Sequence, residues 1–158
     1  NDFACRNRKQ ILDNGFDAVY DDNVLNIHHE LSTFIKAKLM FERKVLKMPT
    51  VFQYKDAVQY MSIPEDKEDG VIPVVAPNWD HSPRTGRDSI VLNNPEHKYF
   101  EAALRNAIEC NRNKPEQHDI LIIKSWNEWG EGNYLEPDRK WQDAYLKMLL
   151  QKRQEWGL

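Results

Sequence analysis

Val71-Ile72-Pro73-Val74-Val75-Ala76 decides the fold class. A short, unbroken apolar run bounded by turn signals marks a strand buried on both faces, as the strands of a parallel sheet are. Pro73 is a blemish, because it brings no donor to a ladder. Ile120-Leu121-Ile122-Ile123 repeats the pattern and predicts a second buried strand within 119–126. Between the two, Asn94-Pro95-Glu96 opens a helix, with Asn94 as N-cap and Pro95 at the first helical position. Phe100, Ala103, Leu104, Ala107 and Ile108 give that helix one apolar face. After the second strand a polar loop runs over 127–139. The chain then closes on a helix from Trp141 to about Gln154, with Tyr145, Met148 and Leu149 inward. Strand, long polar loop, helix, twice over, predicts an α/β fold with parallel strands and right-handed crossover helices. Ligands of such folds collect at the carboxyl ends of the strands, so function is expected in the two polar loops.

The first half carries the same rhythm more faintly. Residues 6–14 read as the end of a helix, with Ile11 and Leu12 inward and Asn14-Gly15 as its C-cap. Phe16-Asp17-Ala18-Val19-Tyr20 follows as a short strand ending in Asp21-Asp22-Asn23. Residues 31–46 are helical and basic, and Pro49 ends them; 56–61 reads as a short helix with Val58 and Met61 inward. The loop 62–70, with Glu65, Asp66, Lys67, Glu68 and Asp69, reads as solvated.

At 158 residues the chain is about one domain. A complete (β/α)8 barrel needs about 250. The net charge of −3 excludes the basic stripe of a general nucleic-acid binder. With 30% charged and 41% hydrophobic residues the balance is globular, which excludes a disordered chain. No apolar run approaches the roughly 18 residues of a membrane span. Two cysteines, Cys5 and Cys110, exclude a disulfide scaffold and a four-cysteine zinc site; they read as buried thiols of a reducing compartment. The chain opens Asn1-Asp2-Phe3-Ala4 with neither Met nor a signal-peptide pattern, which reads as processing or as part of something longer.

The loop after the last strand is Trp126-Asn127-Glu128-Trp129-Gly130-Glu131-Gly132-Asn133-Tyr134-Leu135-Glu136-Pro137-Asp138. Glu128 and Glu131 are three apart, so one helical turn brings them to one face. Paired carboxylates are what glycosidic-bond chemistry needs: one moves a proton, the other activates a hydroxyl or supports a cationic transition state. Trp126, Trp129 and Tyr134 offer faces for sugar rings. The plainer alternative is a solvated acidic turn with a tryptophan plugging the core. The other loop, Pro77-Asn78-Trp79-Asp80-His81-Ser82-Pro83-Arg84-Thr85-Gly86-Arg87, presents a hydrogen-bonding set suited to a polyhydroxylated ligand, or to phosphate through its arginines. Its plainer alternative is an Asp80–Arg84 pair that holds the loop's shape.

These two long motifs together resemble the WbsX family, glycosyltransferases of bacterial surface-polysaccharide loci also described as glycoside hydrolase family 99-like. The resemblance runs from about Gly15 to the C-terminus. His81 departs from it, since the family has Asn there. It implies that this α/β chain is the C-terminal part of a (β/α)8 (TIM-type) barrel, with residues 1–158 one domain within it and another chain or segment completing the barrel. In the family 99 hydrolases, endo-acting α-mannosidases, an Asn-Glu-Trp-x-Glu-Gly segment carries both key carboxylates. Carried over by position, Glu128 assists the sugar's own 2-hydroxyl as internal nucleophile and Glu131 is the general acid/base. Asn78, Trp79, Asp80, Arg84, Trp126, Asn127, Trp129, Tyr134 and Glu136 then line the substrate site. The implied partner is a saccharide, with nucleotide-linked and lipid-linked forms both open. No metal and no cofactor are expected, and the implied location is the bacterial cytoplasm or the membrane periphery.

Other signals are weak. His28-His29-Glu30 lacks the spacing of a metal site and reads as a polar loop or helix start; His97 and His118 read as surface residues. The sequence has no Asp-x-Asp triplet and no glycine-rich phosphate loop, which tilts the chemistry toward hydrolysis or metal-free transfer. The basic stretch 36–47 reads as a solvated helix face, with a membrane contact as the alternative. A non-catalytic saccharide-binding domain, keeping Trp79, Trp126 and Trp129 as platforms, and a purely structural domain are the competing functional readings.

Overall fold

The computed structural model describes residues 7–20, 27, 31–94 and 96–157. Cys5, Asp21-Asp22-Asn23, His28-His29-Glu30 and Pro95 lie outside these described residues. The described chain is mixed α/β. Its strands are β1 (Val19–Tyr20), β2 (Thr50–Gln53), β3 (Val71–Ile72), β4 (Val74–Val75), β5 (Trp79–Asp80), β6 (Ile90–Asn93), β7 (Ile122–Ile123), β8 (Asn127–Glu128) and β9 (Asn133–Tyr134). Its α-helices are α1 (Arg8–Asp13), α2 (Thr33–Lys44), α3 (Tyr54–Ala57), α4 (Ser82–Thr85), α5 (Lys98–Asn111) and α6 (Ala144–Trp156).

The apolar run at 71–76 is a strand with partners on both edges, split at Pro73. β1 pairs parallel with β3, Val19 opposite Val71. β4 pairs parallel with β7, Val74 opposite Ile122. The Gly70 carbonyl accepts from Val19, whereas the carbonyls of Pro73 and Val75 accept from Ile122 and Lys124. Carbonyls alternate in direction along an extended strand, so the even-numbered groups serve one neighbour and the odd-numbered groups the other. Proline is tolerated because it joins the β7 ladder as its first residue, through a carbonyl alone.

A third parallel pair was not expected from sequence: β2 and β6, with Thr50 opposite Ile90. Each is only four residues long, and in β2 the buried positions are Thr50 and Phe52 while Val51 is exposed, so burial alternates without a matching alternation of apolar residues. β5 adds antiparallel to β6, Trp79 opposite Leu92, and so straps the first polar loop onto the sheet.

Helix α5 buries Phe100, Ala103, Leu104 and Ala107, the i, i+3, i+4, i+7 face read from sequence, and adds Cys110 and Asn111. It begins at Lys98 with His97 at its N-cap position, so Asn94 does not cap it. The Asn94 side chain instead donates to the Pro77 carbonyl at 2.7 Å, tying the helix entry to the end of the strand. Helix α6 returns with Tyr145 and Met148 buried. The core joins these faces to Phe52, Tyr54, Val75, Ala76, Trp79 and Leu92. The buried Tyr54 hydroxyl donates to the Ala76 carbonyl at 2.7 Å, so its polar end is satisfied.

Two smaller expectations are corrected. The charged loop is not wholly solvated: Asp66 is buried and accepts from the Ile63 N–H at 2.9 Å. His97 is not a plain surface residue; its ring meets Trp141 edge-on at 5.4 Å and Tyr145 at 6.2 Å. His118 pairs with Asp69. Cys110 is a buried free thiol, as read, and burial pushes its pKa up. Among the described residues no helix is long and apolar enough to cross a membrane.

Candidate active site at the strand ends

Because β4 and β7 are parallel, the chain leaves both at the same end. The two polar loops emerge side by side there and close on each other through one guanidinium. Arg84, on the single turn α4, donates from Nη2 to Glu128 Oε1 and from Nη1 to Glu131 Oε1, both at 2.9 Å. The planar fork suits this two-pronged contact, and its charge offsets the repulsion between the two carboxylates. The Asp80–Arg84 pair weighed from sequence does not form. Asp80 instead accepts from the Ser82 N–H at 2.9 Å, starting the turn that carries Arg84.

The second loop folds as a tight hairpin. β8 and β9 pair antiparallel, Glu128 opposite Asn133, around one 3₁₀ turn at Trp129–Glu131. That turn brings Glu128 and Glu131 together, as their spacing predicts. Two glycines make it fit. A Cβ at Gly130 would sit 3.2 Å from Arg84 Nη2 and from Glu128 Oε1. Gly132 has φ +55°, and a Cβ there would sit 3.1 Å from that of Asp80. Gly132→Ala is expected to destabilise the protein by about 1–2 kcal/mol, the cost of a left-handed backbone on an L side chain. Chemical denaturation checks this; an unchanged midpoint would contradict it.

The two carboxylates differ in setting. The Glu131 side chain is 14% exposed and that of Glu128 41%. His81 approaches Glu131, Nε2 to Oε1 at 3.7 Å. His81 lies outside the site residues that the sequence suggests, and membership of the same loop is the one signal it carries there. Among the described residues the second oxygen, Oε2, of each glutamate makes no hydrogen bond, so each keeps an acceptor for a ligand.

The aromatic residues divide. Trp129 and Tyr134 stack on each other, centroids 3.8 Å apart, and the Trp129 indole donates to Glu136 at 2.7 Å. Trp126 and Trp129 stay half exposed. Trp79 is buried, with the Lys124 ammonium 4.3 Å above its ring. It packs the core under the loop and is not an open platform. Asn78 accepts from the Tyr134 N–H at 3.4 Å, a second tie between the loops. The Asn127 side chain is in the exposed part of β8.

Two residues that sequence reasoning did not single out hold the hairpin. Asn133 is fully buried and accepts from the Ser125 N–H at 3.1 Å. Asp138 accepts from the Tyr134 hydroxyl at 2.7 Å and from the Trp141 N–H. Burial alone would raise the Asp138 carboxyl, but hydrogen bonds from the Trp141 N–H, the Tyr134 hydroxyl and the Lys140 and Gln142 N–H groups bring it below its ordinary value. Burial, then the hydrogen bond to Asp138, pushes Tyr134 up to about 12, so it stays a donor at neutral pH. A depressed native pKa stabilises the fold above the unfolded value of about 4 and loses that contribution as pH falls through the native one. The stability gap between wild type and Asp138→Asn is therefore expected to be full at pH 6 and to shrink below about pH 4. Denaturation midpoints of both proteins across that range measure it; a gap independent of pH would contradict the assignment.

The family model described as Glycosyltransferase WbsX matches residues 2–149, both loops included. The chain belongs to the WbsX glycosyltransferase family. Two similar proteins, each named "Uncharacterized protein WxcX", come from Xanthomonas campestris pv. campestris. One, from strain B100, is 32% identical over 104 residues, which cover 63% of this chain and 15% of that protein. The other, from a second strain, is 37% identical over 82 residues, 49% of this chain and 12% of that protein. The chain thus matches a small part of the length of these relatives. No solved structure matches it. Family membership makes the Glu128–Arg84–Glu131 cluster a candidate site of a carbohydrate-active protein.

Proposed function

We propose that this chain carries the acid–base centre of an enzyme that makes or breaks a glycosidic bond in bacterial surface polysaccharide. The observation that carries the reading is the single guanidinium of Arg84 holding Glu128 and Glu131 across two loops. In this reading Glu128 takes the proton of the sugar's 2-hydroxyl as that oxygen attacks the anomeric carbon. Glu131, the more enclosed carboxyl, gives a proton to the departing oxygen as the glycosidic bond breaks; it then takes one from the acceptor, water or a second saccharide, whose oxygen opens the 1,2-anhydro ring at the anomeric carbon while Glu128 returns the proton to the 2-oxygen. Arg84, more than half exposed, is the exchangeable counter-ion: a saccharide that draws it aside leaves Glu131 facing the leaving oxygen. Trp126 and Trp129 supply the open faces for sugar rings.

We also propose that residues 1–158 form one domain, the C-terminal part of a (β/α)8 barrel. The parallel order of β1, β3–β4 and β7, with α5 returning between the last two, supports this reading.

Calorimetric titration with mannose-type oligosaccharides and, separately, with nucleoside diphosphates tests the function. Oligosaccharide binding is expected; added nucleotide binding makes the enzyme a transferase with an activated donor, and oligosaccharide binding alone favours a hydrolase. Binding of neither ligand to the folded, intact protein would overturn the proposal in favour of a structural domain.

A further inference from the structure

The segment from Thr33 to Met48 has two properties that rarely coincide on a free protein surface. Of helix α2 only Leu39 is buried. Phe34 is 81% exposed and Phe41 54%, and Met40, Val45, Leu46 and Met48 are half or more exposed. Phe34, Phe41 and Val45 are seven and then four apart, so they form one stripe along the helix. Single exposed apolar side chains are ordinary; a contiguous set of this size marks a contact surface.

The same segment is strongly basic. Lys36, Lys38, Arg43, Lys44 and Lys47 face the one carboxylate of Glu42, in a chain whose net charge is −3. Lys38 reaches Glu42 at 3.7 Å and Arg43 reaches Asp88 at 4.0 Å. Among the described residues Lys44 and Lys47 have no acidic partner. At the C-terminal end of the helix, where residues 87–88 approach it, lies a cavity of about 370 Å³ lined by Arg43, Lys44, Lys47, Arg87 and Asp88, four cations and one anion.

We propose that helix α2 and the residues after it, to Met48, form a docking surface for an anionic lipid bilayer. Exposed phenylalanines and aliphatics enter the headgroup boundary, flanking lysines meet lipid phosphates, and the basic cavity takes a headgroup phosphate. A 12-residue helix is too short to cross a bilayer, so it lies on the surface. A symmetric contact with a second copy would press the five cations against their own counterparts. A nucleic acid would leave the apolar stripe unmatched. Arg87 and Asp88 follow Arg84 in the chain by a few residues, so the docking surface and the candidate site share one loop.

Flotation of the intact protein with vesicles tests this, using phosphatidylcholine alone or with phosphatidylglycerol. Binding is expected to the mixed vesicles only, and to fall as salt is raised. Lys44→Gln with Lys47→Gln is expected to weaken it about 30-fold, roughly fivefold per lysine. Phe34→Ser with Phe41→Ser is expected to abolish it. Both pairs are exposed, and an unchanged denaturation midpoint confirms that each variant folds. No binding of the folded chain to mixed vesicles would overturn the proposal, as would binding that neither pair alters. Self-association through Phe34 and Phe41 in sedimentation, without vesicle binding, would assign the face to a second copy instead.

Discussion

Glu131→Gln in the intact protein is expected to lower kcat by about 10²–10⁴, the range that a positioned proton-transfer group contributes. Affinity for saccharide is expected to stay near that of wild type. The substitution keeps the shape of the side chain, and a carboxamide oxygen can still accept from Arg84 Nη1, which holds Glu131 at 2.9 Å. What it removes is the transferable proton. Glu131 is the member of the pair whose side chain is 14% exposed, so solvent is poorly placed to substitute for it. Progress curves and calorimetry on the same preparation separate the two effects. Retained full activity would end the assignment. A saccharide-binding domain without catalysis would show turnover in neither protein and equal binding in both.

Phe100→Ala is expected to cost about 3–5 kcal/mol of folding stability, the range for removing a buried phenylalanine ring. Phe100 is fully buried in α5, and its ring meets Tyr145 of α6 edge-on at 5.6 Å. The ring therefore joins the two helices that return from the two strands. Its neighbours Ala103, Leu104 and Ala107 belong to regular helix and have little freedom to collapse into the space left. A urea titration measures the loss. A cost below about 1 kcal/mol, the level of an ordinary surface change, would contradict the view that this contact anchors the core.

How far the sequence reveals this structure follows from pattern length. The parallel pairing of the 71–76 run with 122–123 is legible because both belong to continuous apolar stretches, although the second is less buried than such a stretch predicts: Ile122 and Ile123 are half-buried and Ile120 is exposed. The buried face of α5 is legible because four apolar positions repeat at helical spacing. The pair β2–β6 is not legible, because β2 alternates buried and exposed residues while its sequence does not alternate with them: polar Thr50 is buried and apolar Val51 exposed. At the site, the meeting of Glu128 with Glu131 follows from their spacing. The partner of Arg84 does not. Within the loop the nearest carboxylate along the chain is Asp80, but the turn that Asp80 starts directs Arg84 across to the other loop. Such a contact depends on strand pairing, which local sequence does not specify. The division among the tryptophans has the same origin. Trp79 is drawn inward by its ladder with Leu92, while Trp126 and Trp129 stand on a hairpin with no layer above them among the described residues.

The structure of the intact Glu131→Gln protein bound to a saccharide tests the central claim most directly, since slowed turnover keeps the ligand whole. A sugar ring is expected against Trp126 or Trp129, with its glycosidic oxygen within hydrogen-bond reach of position 131 and its 2-hydroxyl within reach of Glu128. A saccharide bound away from both loops, with Arg84 still bridging positions 128 and 131, would contradict it.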